Sequence, residues 1–328
     1  MSERSRRTSR GYRQPLYLLP FDHRHSYETQ MFGLATPLTP EQRHGISESK
    51  RLIYDGFMQA LGPGLPPWRA GILVDEEFGA EILRDACERG YVTALATEKS
   101  GTDELELEYG AEFAQHIEAF RPTFAKVLVR YNSGDENGRN DRQRLVLRRV
   151  SDYCRTAGRM FMVELLVPAT KEQLESVHGD KTAYDLHLRP DLMRQAIRAF
   201  QDDGIEPDVW KVEGLERRED CAGLVETARR GDRRDVGCIV LGRGADENKV
   251  RRWLEVAASV PGFIGFAVGR TTFWDAVADY LANKTTREEA TSRIAQRYLA
   301  WAGIFQRAQL ADGGTDRAMA LGYGHGGG

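Results

Sequence analysis

The sequence predicts one closed α/β barrel, the (β/α)8 or TIM-barrel architecture, with a C-terminal helical extension and flexible tails. Three observations carry that expectation. Short runs rich in apolar, β-branched and aromatic residues alternate with amphipathic stretches about eight times along the chain. The runs are nearly continuous in apolar residues, as parallel strands covered on both faces should be. The 328 residues suit one barrel of about 250 residues with extensions, and no linker divides them.

Taken in order, PLYLLPF near residue 15 reads as the first strand. PEQRHGISESKRLIYDGFMQAL then reads as a helix, with Thr39 as its cap and Pro40 in its first turn. AGILVD near 70 and YVTALAT near 91 are the next two strands, each followed by a helix, AEILRDACERG and ELEYGAEFAQHIEAF. TFAKVLVRY near 123 and RMFMVELLVP near 159 follow, with NDRQRLVLRRVSDYCRTAG and RPDLMRQAIRAFQDDG as their helices. PDVWKVEGL near 207, VGCIVLG near 236 and GFIGFAVG near 262 complete the strands. Their helices are REDCAGLVETARRG, DENKVRRWLEVAAS and TTFWDAVADYL. Gly90, Gly158, Gly204 and Gly231 fall just past predicted helix ends, where a left-handed residue is common. Residues 286–309 read as a closing helix. The expected organisation is a disordered arm over 1–13, the barrel over 14–311 and a Gly-rich tail over 312–328.

Composition narrows the function. Lys plus Arg is 46 against 49 Asp plus Glu, a formal charge of −3, which excludes a strongly basic nucleic-acid binder. Four widely separated cysteines form no C-x-x-C pair, against a disulfide framework or a zinc knuckle. No apolar run reaches the roughly 20 residues of a membrane span. A cytoplasmic protein acting on small molecules, with no nucleic-acid or membrane partner, is the expectation; barrels of this kind also associate as homo-oligomers. Only eight of the 46 basic residues are lysine, so a lysine inside an apolar strand asks for a reason.

Chemistry in such a barrel gathers at the C-terminal strand ends. Strand one ends in Asp22-His23-Arg24-His25, strand three in Glu98-Lys99, and strand four in Arg130. Lys126, Glu164 and Lys211 lie inside strands four, five and six. Trp210 and Val212 flank Lys211, so alternation turns Lys211 inward. A buried ammonium is costly, and a neutral amine is the nucleophile that forms a Schiff base with a ketone. The alternative is an ion pair with Glu98 or Glu164. Lys126 repeats the pattern on a nearby strand; two inward lysines would depress each other's charge. Gly242-Arg243-Gly244 and Gly269-Arg270 close strands seven and eight, the usual phosphate corner of this fold. His23-Arg24-His25 could begin a metal site, but Lys211 and Arg270 occupy places where further ligands would be needed.

In combination, LVDEEFGAEI, TEKSG, AKVLVRYN, the glutamate of FMVELLVP, DVWKVEG and VGR resemble the class I aldolases of the tagatose-1,6-bisphosphate type, over about residues 16 to 280. LYLLPFDHRHS, LLVPAT and VGRTTFWD resemble more closely the barrel domain fused C-terminally to 5-dehydro-2-deoxygluconokinase in myo-inositol catabolism. That resemblance implies a free-standing aldolase that splits 6-phospho-5-dehydro-2-deoxy-D-gluconate into dihydroxyacetone phosphate and malonate semialdehyde. It implies Lys211 as the Schiff-base residue, with Lys126 and Glu164 as its polar partners and Arg270 as a phosphate ligand.

The expected catalytic set is therefore Lys211, Glu164, Lys126 and Asp22. Gly242, Arg243, Gly244, Gly269 and Arg270 would hold the phosphate. His23, Arg24 or Arg130 would hold the far carboxylate, with Glu98 and Lys99 also in the binding site. No metal or other cofactor is expected, because the iminium serves as the electron sink. Tagatose 1,6-bisphosphate and sulfofructose 1-phosphate are the alternative substrates. A metal-dependent hydrolase and a non-catalytic phosphosugar-binding barrel are the alternatives from other classes.

Overall fold

Eight consecutive parallel strands pair with their sequence neighbours, and the last pairs with the first, closing the ring. They are β1 (Leu16–Pro20), β2 (Ala70–Asp75), β3 (Val92–Ala96), β4 (Phe124–Arg130), β5 (Met160–Leu166), β6 (Val209–Glu213), β7 (Gly237–Leu241) and β8 (Phe263–Ala267). The computed structural model describes residues 11–62, 64–135 and 138–321. All eight expected strands are present, and the (β/α)8 barrel is the architecture.

The helices are α1 (His25–Met31), α2 (Pro40–Ala60), α3 (Glu76–Glu88), α4 (Phe113–Phe120), α5 (Arg139–Ala157), α6 (Lys171–Ser176), α7 (Lys181–His187), α8 (Arg189–Asp202), α9 (Arg218–Ala228), α10 (Glu247–Ala258), α11 (Arg270–Leu281) and α12 (Arg287–Leu321). Thr39 caps α2 in a reciprocal box with Gln42, with Pro40 in the first turn. Three short helices lie outside the sequence expectation. α1 has only seven residues and no side-chain cap, too short for periodicity to register. α6 follows a capping box of Thr170 and Gln173, and Asp180 caps α7; those two signals were legible. The helix expected from residue 106 begins only at Phe113, after a 3-10 turn at Gly110–Glu112.

Alternation along the strands separates two apolar layers. Leu16, Leu18, Leu73, Phe124, Met162, Val209 and Ile239 fill the barrel interior. Trp210 and Val212 face outward into the strand–helix layer, where Trp210 stacks on Phe200 of α8 at 6.0 Å. A fully buried side chain of this size stabilises by about 1.5–3 kcal/mol. Closure of the ring depends on Gly265. Its partner in register is Leu16, and a Cβ at Gly265 would lie 1.8 Å from the Leu16 carbonyl oxygen.

Both expected tails begin elsewhere than anticipated. Gly11 pairs with Asp235 and donates its N–H to Asp208 Oδ1 at 2.8 Å. Tyr12 packs edge-on against Phe124 at 5.2 Å, so residues 11–13 cap the barrel floor; residues 1–10 lie outside the described residues. The tail expected from 312 starts inside α12, which continues to Leu321. Once propagated, a helix extends readily through Ala and Leu. Residues 322–328 lie outside the described residues. α12 also locks the barrel: Tyr298 Oη donates to the Tyr17 carbonyl at 2.6 Å, and Trp301 Nε1 to Thr272 Oγ1 at 3.1 Å.

Candidate active site

A cavity of about 290 Å³ opens at the C-terminal end of the barrel, and the residues of the expected catalytic and binding set line it, whereas His25 does not. Its floor is built from three adjacent strands. In register, Leu128 of β4 lies beside Glu164 of β5, and Glu164 beside Lys211 of β6. Inward alternation turns Lys126, Glu164 and Lys211 into the same space. All three are buried.

Lys126 Nζ lies 2.8 Å from Asp22 Oδ2, 2.8 Å from Glu98 Oε1 and 2.7 Å from Glu164 Oε2. Lys211 Nζ lies 2.7 Å from Glu164 Oε2 and has no other carboxylate within 4 Å among the described residues, although Asp22 feels its charge. The expectation that the two lysines would depress each other is corrected for Lys126. Burial works against its charge, but Asp22, Glu164 and Glu98 raise its pKa above the ordinary lysine range. It stays an ammonium. Reciprocally, burial disfavours the Asp22 and Glu164 carboxylates, yet Lys126 and Lys211 hold both pKa values below the usual range.

Around this floor the loops sort the remaining residues. After β3 the chain turns back on itself, pairing Glu98 with Leu107. Glu98 Oε2 accepts the Leu128 N–H at 3.2 Å. Arg24, between β1 and α1, fastens this turn by donating to the Glu98 carbonyl at 2.6 Å and to Glu108 Oε2 at 3.1 Å. Burial opposes its charge and the carboxylates of Glu98, Asp75, Asp22 and Glu108 more than offset that. The guanidinium expected to take a substrate carboxylate is thus committed to holding the wall. Lys99 reaches outward to Glu106 at 3.5 Å. Arg130 is exposed, donates to the Thr102 carbonyl at 3.4 Å, and has no acidic partner among the described residues.

His23 stands beside the corner formed by Gly269 and Arg270. A Cβ on Gly269 would come within 3.4 Å of its Cε1, because β1 neighbours β8 in the ring. Burial, first, and the nearby cations Arg270, Lys211 and Lys50 lower its pKa to about 4 against the pull of Asp22. It is a neutral imidazole, and its buried Nδ1 has no partner. Among the described residues no three His, Cys, Asp or Glu side chains converge as metal ligands.

At the corner itself, α11 starts at Arg270 with Gly269 before it. Arg270 Nη2 donates to the Arg243 carbonyl at 3.3 Å, and its guanidinium has no acidic partner among the described residues. Gly242 and Gly244 flank Arg243 and line the same wall. The Arg243 guanidinium is already taken: its Nε lies 3.1 Å from Glu213 Oε1 and its Nη1 3.2 Å from Asp185. Glu213, and the buried pair of Lys50 on α2 and Asp75 at the end of β2, went unassigned in the sequence. Glu213 shares the inward parity of Lys211 and could have been found; the Lys50 pairing bridges α2 and β2 and left no local signal.

These features define a (β/α)8 barrel with a charged cavity at the C-terminal end of its strands. Residues 4–309 match the family described as "Uncharacterized protein conserved in bacteria (DUF2090)", and the chain belongs to that family. No curated protein matches the sequence. Among solved structures, the chain is similar to a fructose-bisphosphate aldolase from Plasmodium falciparum, crystallised with TRAP and a small-molecule inhibitor. The TM-score is 0.59 at 13% identity, over 88% of this chain and 89% of that one. It is also similar to Cgl0159 from Corynebacterium glutamicum, with a TM-score of 0.52 at 17% identity over 87% of this chain and 85% of that one. At these identities the likeness is one of fold. Among the described residues no helix is long and apolar enough to cross a membrane.

Proposed function

We propose that this protein is a class I aldolase in which Lys211 forms a Schiff base with a phosphorylated ketose acid, 6-phospho-5-dehydro-2-deoxy-D-gluconate. The observation that carries the reading is the asymmetry of the two buried lysines. Lys126 is paired with three carboxylates, whereas Lys211, which also lines the cavity, has Glu164 alone within 4 Å among the described residues. The aldolase likeness of the fold supports the reading.

Glu164 accepts a proton from the Lys211 ammonium, and the freed amine attacks the C5 ketone. The protonated Glu164 returns its proton to the carbinolamine hydroxyl, which leaves as water and gives the iminium. Glu164, again a carboxylate, takes the proton of the C3 hydroxyl as the C3–C4 bond breaks. That pair of electrons moves into the iminium to form an enamine, and malonate semialdehyde departs. Protonation at C4 and hydrolysis then release dihydroxyacetone phosphate and restore Lys211. Lys126 keeps Asp22 ionised and favours the return of Glu164 to its carboxylate form after each proton transfer. Arg270 binds the phosphate, with the neutral His23 beside it. Arg130 stands four strands away, across the ring, and takes the far carboxylate, a pairing suited to a planar guanidinium. The iminium supplies the electrophile, so the scheme needs no metal.

The test is borohydride treatment of the intact protein with dihydroxyacetone phosphate in chelator, read by mass spectrometry. The expected adduct maps to the peptide containing Lys211 and disappears in folded Lys211→Met. Folded wild-type protein that yields no adduct would overturn the reading. Turnover on the gluconate phosphate, tagatose 1,6-bisphosphate and sulfofructose 1-phosphate then separates the substrates.

A further inference from the structure

We infer that Glu213 is a positioning residue for the anion corner, and that Arg243 serves that corner through its main-chain carbonyl rather than its guanidinium. The inference deepens the aldolase reading and rests on it. Glu213 lies two residues beyond Lys211 on β6 and is only 3% exposed. Its two oxygens tie four segments together. Oε2 accepts the Val167 N–H at 2.8 Å, just past the strand that carries Glu164. Oε1 lies 3.2 Å from Arg189 Nη1 at the start of α8 and 3.1 Å from Arg243 Nε. Asp185 of α7 grips the other side of the same guanidinium at 3.2 Å.

Anchored at its far end, Arg243 holds a left-handed backbone, with φ of 52°, a conformation that a non-glycine residue keeps only when its surroundings impose it. That backbone turns the Arg243 carbonyl toward Arg270 Nη2. Gly244 makes the room: a Cβ there would lie 2.6 Å from the same Nη2. Arg270 is thereby aimed by a chain of contacts that begins on the strand of the nucleophile. The separation between Lys211 and the phosphate site is set by Glu213.

Direct and indirect roles for Arg243 predict opposite results. Glu213→Gln and Asp185→Asn each loosen the Arg243 guanidinium without touching Arg270. If Arg243 bound phosphate directly, releasing it would leave anion binding unchanged or tighter. The positioning role predicts that Glu213→Gln raises the half-saturating dihydroxyacetone phosphate in borohydride trapping about tenfold, with the adduct rate at saturation retained. Asp185→Asn should shift it in the same direction, and it carries the test if Glu213→Gln does not fold. Calorimetric titration with inorganic phosphate is the parallel readout and requires no Schiff base. Missing adducts with phosphate binding still weakened would overturn the aldolase chemistry and keep the positioning role. Unchanged or tighter phosphate binding in the folded variants, or no phosphate binding by wild-type protein, would overturn the positioning role.

Discussion

Glu164 Oε2 lies 2.7 Å from Lys126 Nζ and 2.7 Å from Lys211 Nζ. One carboxylate oxygen therefore separates two buried lysine side chains, one held as an ammonium and the other the proposed nucleophile. Glu164→Gln removes that acceptor while keeping its size. Cleavage should slow by about 10²-fold or more, the usual contribution of a general acid–base group. Trapping of dihydroxyacetone phosphate on Lys211 should slow as well, because the same carboxylate frees the amine and protonates the departing carbinolamine hydroxyl. A turnover assay beside mass-spectrometric trapping checks this; near-normal cleavage would remove Glu164 from the proton path.

Lys126→Met removes the one cation that Asp22, Glu98 and Glu164 share. Breaking a buried pair of this kind costs about 3–5 kcal/mol. In the wild type, Lys126 helps to depress the folded pKa values of Asp22 and Glu164. Their stabilisation is complete above the ordinary carboxylate range and is lost as pH falls through those depressed values. In the variant the carboxylates are destabilising when charged. The deficit against wild type should thus be largest near neutrality and shrink as pH approaches about 4. Thermal melts across that range decide it, and a deficit independent of pH would contradict the electrostatic account.

The strands and the charged floor were legible because both are departures from a simple pattern. Continuous apolar runs mark strands covered on two faces, and Lys126, Glu164 and Lys211 interrupt those runs at inward positions. The charge state of Lys126 was not legible. Its three partners come from the end of β1, the turn after β3 and the middle of β5, a convergence that only ring closure creates. The wall contacts of Arg24 were not legible for the same reason, since its acceptors lie 74 and 84 residues away in sequence. Local spacing identified who stands at the cavity. It did not say which of those groups were already satisfied by one another.

His23 gives a separate acid response. Its pKa falls from 6.5 to about 4 in the folded protein. Between those values the unfolded chain binds a proton that the folded chain refuses, so stability decreases as pH is lowered through the window. His23→Gln should flatten that part of the profile. Urea unfolding measured at several pH values within it, with the imidazole titration followed by NMR, provides the check. An unaltered slope would place the acid sensitivity elsewhere.

Lys50 and Asp75 form a second fully buried pair, between α2 and the end of β2. Lys50 also lies 5.4 Å from the Phe78 ring centre, and Asp75 caps α3 by accepting the Phe78 N–H at 2.9 Å. Lys50→Met should cost about 3–5 kcal/mol, because Asp75 is left charged in an apolar setting. Adding Asp75→Asn should recover part of that loss, since the amide oxygen retains the cap without the charge. Chemical denaturation of both variants tests the coupling; a double variant weaker than the sum of its single changes would refute it.

The bond from Tyr298 to the carbonyl of Tyr17 spans 281 positions, and this gap has a consequence during biosynthesis. The first strand leaves the ribosome early, but its β8 edge and its α12 cover are translated last. At about 5–20 residues per second, it waits roughly 14–56 s for them. Throughout that interval a growing polypeptide presents an unpaired, apolar edge to its neighbours on the polysome. Holding such nascent chains apart is work for chaperones, and demand for it rises with the rate at which the message is read.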